Sequence, residues 1–159
     1  MEIAVGLFLG ILLVFAFVIF FGAPYVPTLK PQVQTAFELL QLQPSQTLLE
    51  LGSGDGKVLL AAARAGYRAI GIELNPVLVL VSLWRTRKYR KKVKVIWGNF
   101  WQVPWPKADA VFVFLLDRYM PKLDEHMKRY RKPIASVAFK IPNKTITTEK
   151  AGVYLYMSR

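Results

Sequence analysis

The chain has no cysteine and a single histidine, His126. Disulfides, thiol nucleophiles, thiolate metal sites and histidine-rich metal centres are thereby excluded, so no metal is expected and catalysis has to come from oxygen groups or a bound cofactor. Carboxylates are scarce too: 10 Asp and Glu stand against 22 Lys and Arg, a formal charge of +12 over 159 residues. After Glu2 the next charged residue is Lys30, and from there on 22 basic side chains face 9 acidic ones, a balance that favours an anionic surface. A chain of this length accommodates one catalytic domain at most.

Residues 3–23, IAVGLFLGILLVFAFVIFFGA, hold no charged or amide side chain. About 20 helical residues at 1.5 Å each cross a hydrocarbon layer of roughly 30 Å. A cleaved signal peptide needs a basic start and an apolar core of about 7–15 residues; the start Met1-Glu2 and the longer run fit a retained transmembrane anchor over 1–23 better. Tyr25 falls where interfacial aromatics sit. Pro24, Pro27 and Pro31 disfavour helix before each ring, which makes 24–30 an extended linker and leaves 31–159 as the domain. The positive-inside bias puts that domain on the cytoplasmic side of a single-pass protein, with Lys30 the one basic residue close to the anchor.

Val33, Phe37 and Leu40 give the segment 31–42 one helical apolar stripe. From Thr47 short apolar runs alternate with helical segments, the pattern of a parallel α/β sheet. Strands are predicted at 47–51, 69–73, 93–97, 110–116 and 136–141, and helices at 57–65, 76–88 and 120–130. A last antiparallel strand is expected at 153–156, after the polar stretch 143–150. Asn75-Pro76 is a helix start, with an amide to cap free N–H groups and proline at the first helical position.

The strand 47–51 runs through Gly52-Ser53-Gly54-Asp55-Gly56 directly into a helix, so glycines cluster where the chain turns toward a ligand. A phosphate-binding P-loop needs glycine at the place of Leu51 and Ser or Thr at the place of Val58, and that reading fails. The dinucleotide fingerprint G-x-G-x-x-G meets Lys57 where its third glycine belongs. The order present is acid-x-G-x-G-x-G, from Glu50 to Gly56, followed by a second strand ending in Gly71-Ile72-Glu73-Leu74-Asn75-Pro76. An acid at that strand end is placed to accept from both hydroxyls of a ribose; the bland alternative is a solvated carboxylate.

With these motifs the sequence resembles the class I S-adenosylmethionine-dependent methyltransferases. The apolar N-terminus, Pro24-Tyr-Val-Pro-Thr28, ELGSGDGKVLLAAARAGYRAIGIELNP and Asn99-Phe-Trp101 look, more narrowly, like the membrane-associated lysine methyltransferases of the ATP synthase c subunit and the adenine nucleotide translocase. The resemblance covers nearly the whole chain and is most specific over 50–76. It implies a Rossmann-like sheet with flanking helices, S-adenosylmethionine as cofactor, and methylation of a lysine on a membrane-associated protein. It also implies cofactor contacts at Glu50, Gly52, Ser53, Gly54, Asp55, Gly56, Glu73 and Asn75, and at Asn99 and Phe100 after the third strand, where Asn99 replaces the acid such enzymes often carry. The mitochondrial setting of those enzymes does not carry over with the resemblance, since the N-terminus lacks the arginine-rich amphipathic character of a transit peptide.

Asp117 and Tyr119 fall at the end of the fourth strand, beside the expected methyl site, and are the candidate catalytic pair; a helix cap and a packing aromatic are the competing roles. The run 85–94, R-T-R-K-Y-R-K-K-V-K, either meets anionic lipid or is a solvated helix end suited to the dipole. His126 belongs to a mixed-charge helix face and has no catalytic part. Two rival functions stay open: a methyltransferase acting on RNA or a small lipid, motivated by the charge, and a non-catalytic membrane-tethered binding module.

Overall fold

The computed structural model describes residues 2–21 and 28–157. Its elements are α1 (Glu2–Phe21), α2 (Lys30–Leu40), β1 (Thr47–Leu51), α3 (Lys57–Arg64), β2 (Arg68–Glu73), α4 (Pro76–Thr86), β3 (Val93–Trp97), β4 (Ala110–Val113), α5 (Met120–Tyr130), β5 (Ile134–Val137), β6 (Thr148–Lys150) and β7 (Val153–Tyr156). The seven strands form one sheet in the order β3-β2-β1-β4-β5-β7-β6. β1 to β5 are parallel, and β7 runs antiparallel to both β5 and β6. β1 lies between β2 and β4, so the chain order reverses there and the carboxyl end of β1 opens on a crevice, the usual ligand position in such sheets.

The central parallel strands β1, β4 and β5 are buried almost throughout, which is why they read as apolar runs. On one face Leu48, Ala69, Ala110 and Phe112 pack with Val33 and Ala36 of α2 and with Val58, Leu59 and Ala62 of α3. On the other, Leu49, Leu51, Ile72, Val111 and Val113 pack with Met120, Leu123 and Met127 of α5. Asn75 accepts from the backbone N–H groups of Val77 and Leu78, as the Asn-Pro pair predicts, and starts α4 at the tip of β2.

Three expectations change by more than two residues or by a whole element. The strand expected at 110–116 ends at Val113, yet Leu115 is still buried, so the apolar run continues for packing rather than for pairing. The strand expected at 136–141 lies at Ile134–Val137, because Ala138 adopts φ 67° and breaks the ladder. Ile141 stays apolar for a different reason: it is buried, and its N–H donates to the Tyr156 hydroxyl at 2.9 Å. Finally, β6 forms inside the polar stretch, with all three residues exposed at the sheet edge.

The N-terminal segment is helical over Glu2–Phe21, and its described side chains, those of residues 3–13 and 16, are exposed apart from a half-buried Ala16. Among the described residues no helix is long and apolar enough to cross a membrane. Of the expected anchor over 1–23, the helical conformation is met over Glu2–Phe21. Tyr25, Pro24, Pro27 and most of the expected linker lie outside the described residues.

Candidate active site

The turn after β1 is held from below by β2: the N–H groups of Gly52 and Ser53 both donate to the Ile72 carbonyl, at 2.9 and 3.1 Å. It is held from the side by Glu73, whose carboxylate accepts from Gly54 N at 2.8 Å and from Asn75 N at 2.8 Å. Two N–H donors fix the carboxylate and leave each oxygen a further lone pair for a ligand hydroxyl. Glu73 is buried, at 7% exposure, so this is not the solvated strand end of the competing reading.

Glu50, one strand over, is also buried, and its Oε2 has no hydrogen-bond partner. Burial, then the charges of Glu73 and Asp55, push its carboxyl well above the ordinary range. Asn75 is 1% exposed with its Nδ2 donor unpartnered. Three of the chain's ten acids thus converge on one turn of a molecule that is otherwise strongly basic. A phosphate would be repelled there; a ligand carrying positive charge together with hydroxyls would satisfy Glu50, Glu73 and Asn75 at once.

Two residues expected to touch cofactor have side chains engaged with the scaffold. The Ser53 hydroxyl, buried and unpartnered, is turned under the loop into the space that Gly71 leaves: a Cβ on Gly71 would lie 2.5 Å from it. Asp55 pairs with Arg85 at 2.9 Å and Lys57 at 3.3 Å, which ties the loop to α4. Asn99 Oδ1 already accepts from Trp101 N at 2.9 Å, so its oxygen shapes the turn after β3 as well as being open to an adenine amine. Phe100 approaches Gly52, where an added Cβ would meet its ring at 3.8 Å, and so walls the loop.

Sequence reading missed two contacts, Ser82 against Gly56 and Arg85 against Asp55. Counting inward-facing positions from the Asn75 cap would have placed 82 and 85–86 toward the loop. It also missed an aromatic wall: Trp101 lies 4.5 Å from Phe100, 6.1 Å from Tyr119 and 5.3 Å from His126 by ring centres. His126 packs against Trp101 and Trp105. Asp117 opens a 3-10 turn, Asp117–Tyr119, just after the β4 segment and is exposed, while the Tyr119 hydroxyl accepts from Arg118 at 3.0 Å. Asp117 caps no helix with its side chain, since the cap position falls on Leu116. Among the described residues no group of three or more His, Asp and Glu side chains could hold a metal.

The strand order with its antiparallel seventh strand and the acid-rimmed glycine turn at the reversal point define a Rossmann-like methyltransferase domain. The family profile described as ANTKMT methyltransferase domain matches residues 50–148, and the chain belongs to that family. The ATP synthase c-subunit lysine N-methyltransferase of Rattus norvegicus is 36% identical over 109 residues, 66% of this chain and 49% of that protein. A protein-lysine N-methyltransferase of Saccharolobus islandicus is 29% identical over 150 residues, 84% of this chain and 92% of that protein. Among solved structures, an RNA methyltransferase of Salinibacter ruber in complex with S-adenosyl-L-homocysteine superposes with a TM-score of 0.75 at 28% identity, covering 82% of this chain and 91% of that one. The chain spans about half the length of the ATP synthase c-subunit lysine N-methyltransferases it matches.

Glu50 gives this site a pH signature. A carboxyl raised in the folded state favours the native protein fully below its unfolded value, and that contribution is lost as pH rises through the folded value. Glu50→Gln, which keeps the shape and cannot ionise, is expected to melt a few degrees above the parent at pH 8 without cofactor, with the gap closing near pH 5. The same variant is expected to bind cofactor about tenfold more weakly, the worth of one charge-assisted hydrogen bond. Thermal melts across pH, with calorimetric titration, check both; an unchanged melting profile would remove Glu50 from the site's charge balance.

Proposed function

We propose that the chain is an S-adenosylmethionine-dependent protein-lysine N-methyltransferase that works at a membrane. The observation that carries this reading is the buried acidic turn, Glu50 with an orphan oxygen beside a doubly anchored Glu73, in a chain of net charge +12. The residues fit the cofactor's chemistry: Glu73 would take the ribose hydroxyls, Glu50 the cationic amino-acid end, and the loop amides and Phe100 the remainder. When bound, the cofactor supplies a methyl group on a sulfonium, which leaves as a neutral thioether while the lysine nitrogen forms the new bond. The protein's share is positioning and proton removal. Asp117 is the base in this reading, exposed just beyond β4, and Tyr119, set against Trp101, lines the approach of the lysine.

The domain assignment follows the sequence: an anchor to residue 23, a linker over 24–30 and the catalytic domain from 31. Support for the anchor is the helix Glu2–Phe21 and the absence of charge over 3–23. The single-pass orientation with a cytoplasmic domain rests on the basic excess after it. Lysine acceptors on a membrane protein are favoured by the names of the relatives described above. A second reading, methylation of RNA, has its own support in the Salinibacter ruber likeness and the positive charge.

One experiment tests these readings together. Membranes and total RNA from cells lacking the gene are incubated with the full chain and cofactor tritiated in the methyl group. We expect label in a membrane protein, with lysine mass shifts of one to three methyl groups by mass spectrometry. Label in RNA alone, lost as salt is raised, would transfer the assignment to nucleic acid; no label in any fraction, with no cofactor binding by calorimetry, would leave a non-catalytic module.

A further inference from the structure

We propose that the outer face of α4, with the adjoining end of edge strand β3, is a docking surface for an anionic lipid bilayer. The proposal rests on the membrane reading above and adds a contact made by the catalytic domain itself. α4 buries Leu78, Val79, Ser82 and Thr86 against the fold. Its opposite side presents Leu80, Leu83 and Trp84, at 67, 47 and 65% exposure, and Trp97 at the end of β3 is 66% exposed. Positions 80, 83, 84 and 87 share one helical face. Strand alternation puts Trp97 on the same side of the sheet as Val93 and Val95, the side on which α3 packs. Large exposed apolar groups gathered in this way mark an interaction site.

The charge beside them selects the partner. Residues 74–108 contain no acid, and Arg87, Lys88, Arg90, Lys91, Lys92 and Lys94 are all exposed. Among the described residues none of these six forms an ion pair. Arg87 donates to the Trp84 carbonyl at 2.9 Å and lies 4.5 Å over its ring, so a cation is held at the rim of the apolar strip. Leucine and tryptophan flanked by unpaired lysine and arginine is the composition of an interfacial helix, with its apolar side at acyl depth and its cations among phosphates. A protein partner would have to supply a matching acidic rim; an anionic bilayer supplies it everywhere.

Docking this face also orients the site. α4 begins at Asn75, which hydrogen-bonds to Glu73, and the Trp97 indole donates to the Leu74 carbonyl at 3.0 Å. The lipid-facing strip therefore starts at the rim of the cofactor crevice, and a lysine emerging at headgroup level would meet the site without a separate substrate-binding domain.

The cysteine-free chain makes the test direct. Single cysteines carrying a nitroxide are placed in the full chain by Leu83→Cys, by Leu9→Cys in α1 and by Glu125→Cys on exposed α5, and each protein is reconstituted in vesicles with or without phosphatidylglycerol. Relaxation by oxygen and by a water-soluble nickel chelate reports depth. The expected result is that the label at 83 takes the oxygen-rich, nickel-poor ratio of the label at 9 in phosphatidylglycerol vesicles. It should revert to the ratio at 125 in neutral vesicles or high salt. A label at 83 that matches 125 in anionic vesicles overturns the proposal, and so does shielding at 83 that ignores lipid charge and fades on dilution, which would indicate a second copy. A water-exposed label at 9 overturns the anchor instead, and the two failures are distinguishable.

Discussion

Glu73→Ala is expected to weaken S-adenosylmethionine binding by at least about 100-fold, since two hydrogen bonds from ligand hydroxyls to a charged acceptor are worth about 1.5–3 kcal/mol each. The effect exceeds the loss of a ligand contact because the carboxylate also organises the empty site. Gly54 N and Asn75 N would be left buried without an acceptor, at about 1–3 kcal/mol apiece. Melting should therefore fall by about 5 °C or more even without ligand. Glu73→Gln separates the two roles. Its single amide oxygen can satisfy one of the two donors, so the variant should melt between parent and alanine mutant while its affinity stays close to that of alanine. It also removes a charge that raises the Glu50 carboxyl, so Glu50 should ionise at lower pH. Calorimetric titration with cofactor and with its thioether product checks the affinities. Parent-like binding by Glu73→Ala would place the ribose elsewhere and end the reading of this turn as the cofactor site.

Much of this was legible from residue order because several local rules agreed. β1, the glycine turn, β2 and the Asn75-Pro76 cap appear where apolar runs, glycines and capping chemistry put them, and each rule depends on neighbours in sequence. The errors fall where side chains serve distant partners. Leu115 and Ile141 extend apolar runs past the ends of β4 and β5 because the core needs them there. Ser53 and Asp55 belong to the cofactor motif by position, but Gly71 and Arg85, remote in sequence, draw their side chains into the scaffold. The face of α4 was half legible. Its cations stand out as a run, whereas the exposure of Leu80, Leu83 and Trp84 depends on which side of the helix meets the sheet.

Gly56→Ala tests the other half of the scaffold and is expected to be the most damaging of small substitutions in the loop. Gly56 has φ 78°, a conformation that costs an L-residue about 1–2 kcal/mol. A Cβ there would also lie 2.3 Å from Ser82 Oγ, 3.0 Å from Ser82 Cβ and 3.1 Å from Ser82 Cα, so α4 has to move, at about 1–3 kcal/mol for overpacking. The sum is a substantial part of a typical domain's stability of about 5–15 kcal/mol, and a fall in melting temperature of roughly 5–15 °C is expected. Gly52→Ala is the control: its φ of 75° imposes the same strain, but its Cβ meets only Phe100, at an ordinary 3.8 Å. Ser82→Ala isolates the clash. The Ser82 hydroxyl has no hydrogen-bond partner, so its removal alone should cost little, while in the Gly56→Ala background it should restore part of the lost stability. Recovery should stop short of complete, because the Ser82 Cβ and Cα remain. Additive melting shifts for the pair would mean that loop and helix do not press on each other, and that α4 does not set the position of the turn that holds the cofactor.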